Sequence, residues 1–164
     1  MTALAMPELG AKLNVGMGQI AVGRAGDVLE TVLGSCVGVV VMHRQRRIAA
    51  LAHVVLPAAC GRQGLPGKCA DTAIPELLRL LTEAGAGTPG LVAKLAGGAN
   101  MFGSTGGVLQ IGEANIAAVQ ALLAQHKVLV IAKALGGNKG RRISVDCQTG
   151  LVDIDVVGSD KLVL

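Results

Sequence analysis

The chain has 164 residues, 51% of them hydrophobic, a formal net charge of +4 and one aromatic side chain, Phe102. That length predicts one domain, able to withdraw roughly 68–70% of the unfolded chain's surface from water, with a core of Val, Ile, Leu, Ala and Met. The modest positive charge comes without the aromatic–basic interleaving that stacks on bases, which argues against nucleic acid and suits approach to an acidic protein surface; no run of about 18 apolar residues exists to cross a membrane.

In chain order, residues 1–12 read as a loose leader and residues 13–164 as one domain. Met1 to Gly10 has neither the basic region nor the apolar stretch of a signal peptide, so a cytoplasmic protein with reduced thiols is expected. A first strand is expected over 19–22. The Gly16-Met17-Gly18 before it is no dinucleotide fingerprint, because the third glycine falls at the wrong offset. Leu29 to Leu33 is a short strand feeding Gly34-Ser35-Cys36. The β-branched run Val37 to Val41 and the apolar stretch 48–56 then read as two strands of a hairpin, joined by the polar His43-Arg44-Gln45-Arg46-Arg47.

Hairpin geometry makes a prediction about two chemically active side chains. Side chains alternate faces along a strand, and paired residues share a face. An even loop makes paired residue numbers sum to an odd value, and 36 plus 53 is odd. Cys36 and His53 therefore face the same side, directly opposite or on a diagonal of roughly 7–8 Å. A thiol beside an imidazole is the minimal activated nucleophile, because His takes the thiol proton and stabilises the thiolate. A buried cysteine and a satisfied core histidine fit the same spacing, which leaves both readings open.

Further along, Ala58 to Ala70 is a loop holding Cys60 and Cys69. Asp71 is placed to cap a helix over 72–84, with Ile74, Leu77, Leu78 and Leu81 on one apolar stripe. Pro75 falls in its first turn, and Gly85 ends it. A strand over 91–96 leads into the glycine-rich 97–107. That segment lacks the Gly-Lys-Ser/Thr of a phosphate loop and reads as a flexible loop or as a border of an active site. A helix over 113–125 with Ile116, Val119, Leu122 and Leu123 inward follows, then a buried strand over 128–133 and a turn over 136–140. A closing hairpin is expected from 142–146 and 151–157. About eight strands and two helices, with consecutive strands at both ends, predict an α+β fold. Cys36, Cys60, Cys69 and Cys147 match no zinc spacing, so neither metal nor cofactor is expected. His43 and His126 read as a loop residue and a helix-end residue. Arg44, Arg46 and Arg47 read as a solvated turn or as a docking point for acidic helices.

Leu33-Gly34-Ser35-Cys36-Val37-Gly38-Val39 and Ala52-His53-Val54-Val55-Leu56-Pro57, in this order and spacing, resemble the bacterial chemoreceptor glutamine deamidase family, CheD. The resemblance continues through Gly67-Lys68-Cys69-Ala70-Asp71-Thr72-Ala73-Ile74, with Cys69 where the family has an aromatic, and through Ala93 to Phe102, Ile111-Gly112-Glu113-Ala114-Asn115 and Gly136 to Arg142. It implies layered mixed sheets with helices outside, and a cysteine amidohydrolase acting on the cytoplasmic helices of chemoreceptors. Cys36 would be the nucleophile and His53 its base. It also implies a Thr just upstream of Gly-Ser-Cys that orients the His. Thr31 is the nearest candidate, although its odd offset from Cys36 points it to the opposite face of an unbroken strand; a shift at the glycine turn would restore it. The Ser35 hydroxyl or a backbone carbonyl are the alternatives. The family is also linked to hydrolysis of receptor glutamyl methyl esters. It resembles partners of the CheC-type phosphatase, so a mainly non-catalytic binding role is the second reading. A thiol redox protein using Cys60 or Cys69 is the third.

Overall fold

The computed structural model describes residues 10–58, 64–101 and 110–164. Along the described chain run β1 (Lys12–Asn14), β2 (Ile20–Arg24), β3 (Val28–Leu33), β4 (Val37–His43), β5 (Ile48–Val54), α1 (Ala70–Glu83), β6 (Leu91–Gly97), α2 (Ile111–Gln125), β7 (Leu129–Leu135), β8 (Arg141–Asp146), β9 (Val152–Val156) and β10 (Leu162–Val163). They form two mixed sheets, ordered β1-β3-β8-β9-β10 and β2-β5-β4-β6-β7. The α+β class and the layering of helices outside mixed sheets are as expected.

The central sheet owes its place to composition. β4 and β5 are runs of small and β-branched residues, buried along almost their whole length. Such runs suit a strand covered on both faces. Val37, Val39, Val41, Ala50, Ala52 and Val54 face α1 and α2. Val40, Met42, Ala49 and Leu51 face the second sheet, against Leu29, Leu33, Ile143, Val145 and Ile154. The result is three layers and two cores. In α1 the expected stripe is buried: Ile74, Leu77 and Leu81 are fully withdrawn from water, each worth about 1.5–3 kcal/mol of transfer free energy.

Five details differ from expectation. Helix α1 begins at Ala70 with Cys69 as N-cap, so Asp71 lies in the first turn rather than at the cap, where its carboxylate meets the positive end of the helix dipole. The early start moves Pro75 beyond the first turn, where it removes an internal helix bond. Helix α2 begins two residues before the expected 113. The strand expected over 128–133 is β7, an edge strand with Leu129 and Ile131 turned outward; its apolar composition resembled a central strand because one face does pack inward. Finally, β1 and β10 were not expected. Both are very short edge strands, with too few residues for a period-2 signal. Phe102 and Cys60 lie outside the described residues, as do residues 1–9 of the expected leader and most of the glycine-rich 97–107.

Candidate active site

The hairpin register fixes where the thiol and the imidazole fall. Val37 pairs Val54, Gly38 pairs His53, and the ladder closes at His43 and Ile48 around an even turn. Extending that register by one residue sets Cys36 opposite Val55 and His53 on the diagonal, on the same face. That face looks into the core between the two sheets, the cluster that also holds Val40, Met42 and Leu51. Cys36 is 9% exposed and His53 is 4% exposed.

Thr31 reaches His53 from the other sheet. It lies on β3 between the inward-facing Leu29 and Leu33. Its Oγ1 is 2.8 Å from His53 Nδ1 and donates to the carbonyl of Val15 at 2.5 Å. The odd offset from Cys36 is no obstacle, because β3 and β4 belong to different sheets and the chain crosses between them in the Gly34-Ser35-Cys36 turn. Val15 O is also 3.4 Å from His53 Nδ1. Of the three groups expected to orient the ring, the Thr31 hydroxyl and a backbone carbonyl both contact it, whereas Ser35 is engaged through its own carbonyl by Asn115.

These contacts select a tautomer. The single hydroxyl proton of Thr31 points to Val15 O, since two oxygens at 2.5 Å need a proton between them. Thr31 Oγ1 is then an acceptor toward the ring, so Nδ1 carries a hydrogen and Nε2 is left as the proton acceptor. Burial holds the imidazole below its ordinary pKa, opposed by the Val15 carbonyl, which favours the charged ring. Burial pushes the Cys36 thiol up, opposed by its own backbone N–H. Both shifts favour the uncharged forms, thiol and imidazole.

Backbone bonds from the segment after β6 hold the turn at Cys36. Gly98 N–H donates to Cys36 O at 2.8 Å, and Ala99 N–H to Gly34 O at 3.0 Å. Gly97 has φ +101°, and a Cβ there would lie 2.3 Å from Cys36 O, so only glycine permits the approach. Asn100 N–H donates to Gly137 O at 2.8 Å, and Arg141 ties that turn down through bonds to the carbonyls of Ala134, Gly136 and Lys139. The segment around Gly97 thus bonds the Cys36 turn directly, and the segment around Gly136 backs it through Gly97 and Asn100. Asn115, on α2, is fully buried and donates to both Ser35 O and Val55 O. The expected inward stripe of α2 omitted it. Its signal was positional: Asn115, Val119 and Leu123 recur every four residues and are all buried.

The other singled-out residues lie elsewhere. His43 ends β4, its Nδ1 accepting from Arg46 N–H; Arg46 also binds Gly85 O. His126 is the C-cap of α2. Cys147 is buried, and burial together with Asp27 and Asp146 pushes its thiol up to about 12. Cys69 is buried at the start of α1. A cleft of about 310 Å³ opens beside Val15 and Gly18, against Glu76 and Leu80 of α1, and includes none of Thr31, Cys36 or His53. Among the described residues no three His, Cys, Asp or Glu side chains converge as a metal site would require.

Comparison with known proteins bears on the family of the chain. A family model described as CheD chemotactic sensory transduction matches residues 55–156, downstream of Thr31, Cys36 and His53. Individual relatives extend the match. A Thermotoga maritima protein named chemoreceptor glutamine deamidase CheD is 39% identical over 148 residues, covering 90% of this chain and 93% of its own. Proteins named probable chemoreceptor glutamine deamidase CheD from Methanococcus vannielii and Symbiobacterium thermophilum are each 41% identical, over 87% and 88% of this chain and 93% and 92% of theirs. With relatives this similar over nearly the full length, the chain belongs to the CheD family.

Proposed function

We propose that this protein is a protein-glutamine deamidase that converts glutamine side chains of chemoreceptor cytoplasmic helices to glutamate through a thioester on Cys36. The observation that carries the reading is the contact of Thr31 with His53 across the sheets, beside a cysteine on the same inter-sheet face. Family membership supports the reaction and the substrate class.

The chemistry follows from the tautomer. His53 Nε2 takes the Cys36 proton as the sulfur attacks the carboxamide carbon, forming the C–S bond. The imidazolium then gives that proton to the departing nitrogen, and the C–N bond breaks to release ammonia. Water, deprotonated by the same Nε2, attacks the thioester; the C–S bond breaks, the imidazolium gives its proton to sulfur, and the product leaves as the acid and ionises in solvent. Thr31 and the Val15 carbonyl hold Nδ1–H throughout, so the ring presents one nitrogen to both half-reactions. A backbone N–H of the Gly34-Ser35-Cys36 turn is the natural donor to the tetrahedral oxyanion, a contribution of about 10²–10³ in rate. A cytoplasmic setting follows from that substrate, and among the described residues no helix is long and apolar enough to cross a membrane.

The test is the intact mass of a receptor cytoplasmic fragment after incubation with the wild type and with Cys36→Ala. The wild type adds the amide-to-acid increment at discrete glutamines and releases ammonia; Cys36→Ala does neither. An active Cys36→Ala variant would sink the proposal. Binding of a CheC-type phosphatase is a separate proposal, and it would persist in Cys36→Ala.

A further inference from the structure

Asn115 is fully buried on α2. Its amide nitrogen donates to Ser35 O at 3.1 Å and to Val55 O at 2.9 Å. Ser35 immediately precedes the nucleophile, and Val55 follows His53 by two residues. Both carbonyls lie just past the last ladder pair of the hairpin, Val37 with Val54, where the sheet no longer fixes their separation. One carboxamide therefore clamps the nucleophile's turn to the end of the histidine's strand. Its orientation is set by the acceptors, since an oxygen turned toward two carbonyls would meet only lone pairs. Asn115 Oδ1 is buried with no hydrogen-bond partner among the described residues. A buried orphan acceptor is unfavourable, and an apolar side chain in the same space would avoid it. The two donated bonds are what the polar residue supplies here.

We infer that Asn115 is a positioning residue of the deamidation site, acting on Cys36 and His53 through the backbone and touching no reacting atom. Its two bonds set the distance and angle at which the thiol meets Nε2. The inference rests on the Cys36–His53 reading above and goes beyond it by placing part of the catalytic alignment in a helix that faces the opposite side of the sheet.

The experiment compares wild type, Asn115→Ala, Asn115→Asp and Cys36→Ala on a glutamine-bearing receptor cytoplasmic fragment, with melting temperatures measured alongside. Asn115→Ala is expected to lower kcat about 10²-fold, the scale of loss for a slight misalignment, with KM held within about threefold. Asn115→Asp keeps the volume but puts a carboxylate where the NH₂ stood, and it is expected to lose kcat as much or more. A merely structural residue would lower the melting temperature yet leave kcat of the folded protein unchanged well below it. Folded variants with kcat within about threefold of wild type, beside an inactive Cys36→Ala, overturn this inference alone. If neither variant folds, Asn115 belongs to the fold and the inference is overturned too. Full activity in Cys36→Ala overturns the catalytic reading and this one with it.

Discussion

Replacing Thr31 by Val removes one oxygen and almost no volume, which isolates what the hydroxyl does. Thr31 Oγ1 bridges Val15 O at 2.5 Å and His53 Nδ1 at 2.8 Å, in a site where Thr31 is 2% exposed. Without it, two buried polar groups lose their partner. They already face each other at 3.4 Å, so a shift of a few tenths of an ångström would let Nδ1–H donate directly to Val15 O. If that bond forms, the net loss is about 1 kcal/mol; if it does not, two unsatisfied groups cost about 1–3 kcal/mol each. The melting temperature should therefore fall by about 2–4 °C in the first case and by up to about 24 °C in the second, at 2–4 °C per kcal/mol for a chain of this size. The ring keeps its tautomer in the relaxed case but moves toward Val15 O, for which a loss of about 10–10² in kcat is expected. Thr31→Ser retains the oxygen and should keep most of the activity. The assay is steady-state ammonia release from a receptor fragment, paired with thermal melting. Full kcat in Thr31→Val, or an equal loss in Thr31→Ser, would refute the assignment of the hydroxyl to the ring.

On the acid side, kcat/KM should fall only as pH drops through a His53 value below the ordinary 6.5, because burial disfavours the charged ring. The same group costs stability there: the unfolded chain takes up its proton near 6.5 and the folded one only lower, so stability is lost as pH falls through that window, as urea titrations across pH would register. On the alkaline side, Cys147 ionises near 9.0 when unfolded and at about 12 when folded, so up to about 4 kcal/mol is lost as pH rises between them; Cys147→Ala should flatten that loss. Gly97→Ala forces a Cβ to within 2.3 Å of Cys36 O at φ +101° and should lower kcat by about 10² or more. Gly85→Ala, at φ +96° with nothing within 4 Å, carries strain of about 1–3 kcal/mol without touching kcat.

The facing of Cys36 and His53 could be worked out before any coordinates, because a run of β-branched residues and an even loop leave the register no freedom of parity. The contact of Thr31 with His53 could not. Parity holds within one strand, and the chain changes sheets at Gly34-Ser35-Cys36, so the offset between Thr31 and Cys36 carries no facing information. The helical stripe of α1 was plain from Ile74, Leu77, Leu78 and Leu81, but its start was not. Cys69 caps through backbone geometry alone and makes no side-chain cap bond, so no capping residue announces it. Asn115 stands in one of the blocks that carry the family resemblance, yet its role was not legible, for a different reason. Apolar periodicity finds what a helix buries against a core, and Asn115 is buried to satisfy two carbonyls that only tertiary structure brings together.

The proposed reaction passes through one covalent bond between substrate and Cys36. A reaction with a glutamine-bearing receptor peptide, quenched in acid during turnover and examined by intact and peptide mass, tests it most directly. The predicted result is a transient adduct of the substrate less ammonia, mapped to Cys36, absent from Cys36→Ala and absent too from His53→Ala, which has no base to take the thiol proton or acid to release ammonia. An adduct on another cysteine, or deamidation that proceeds without Cys36, would contradict it.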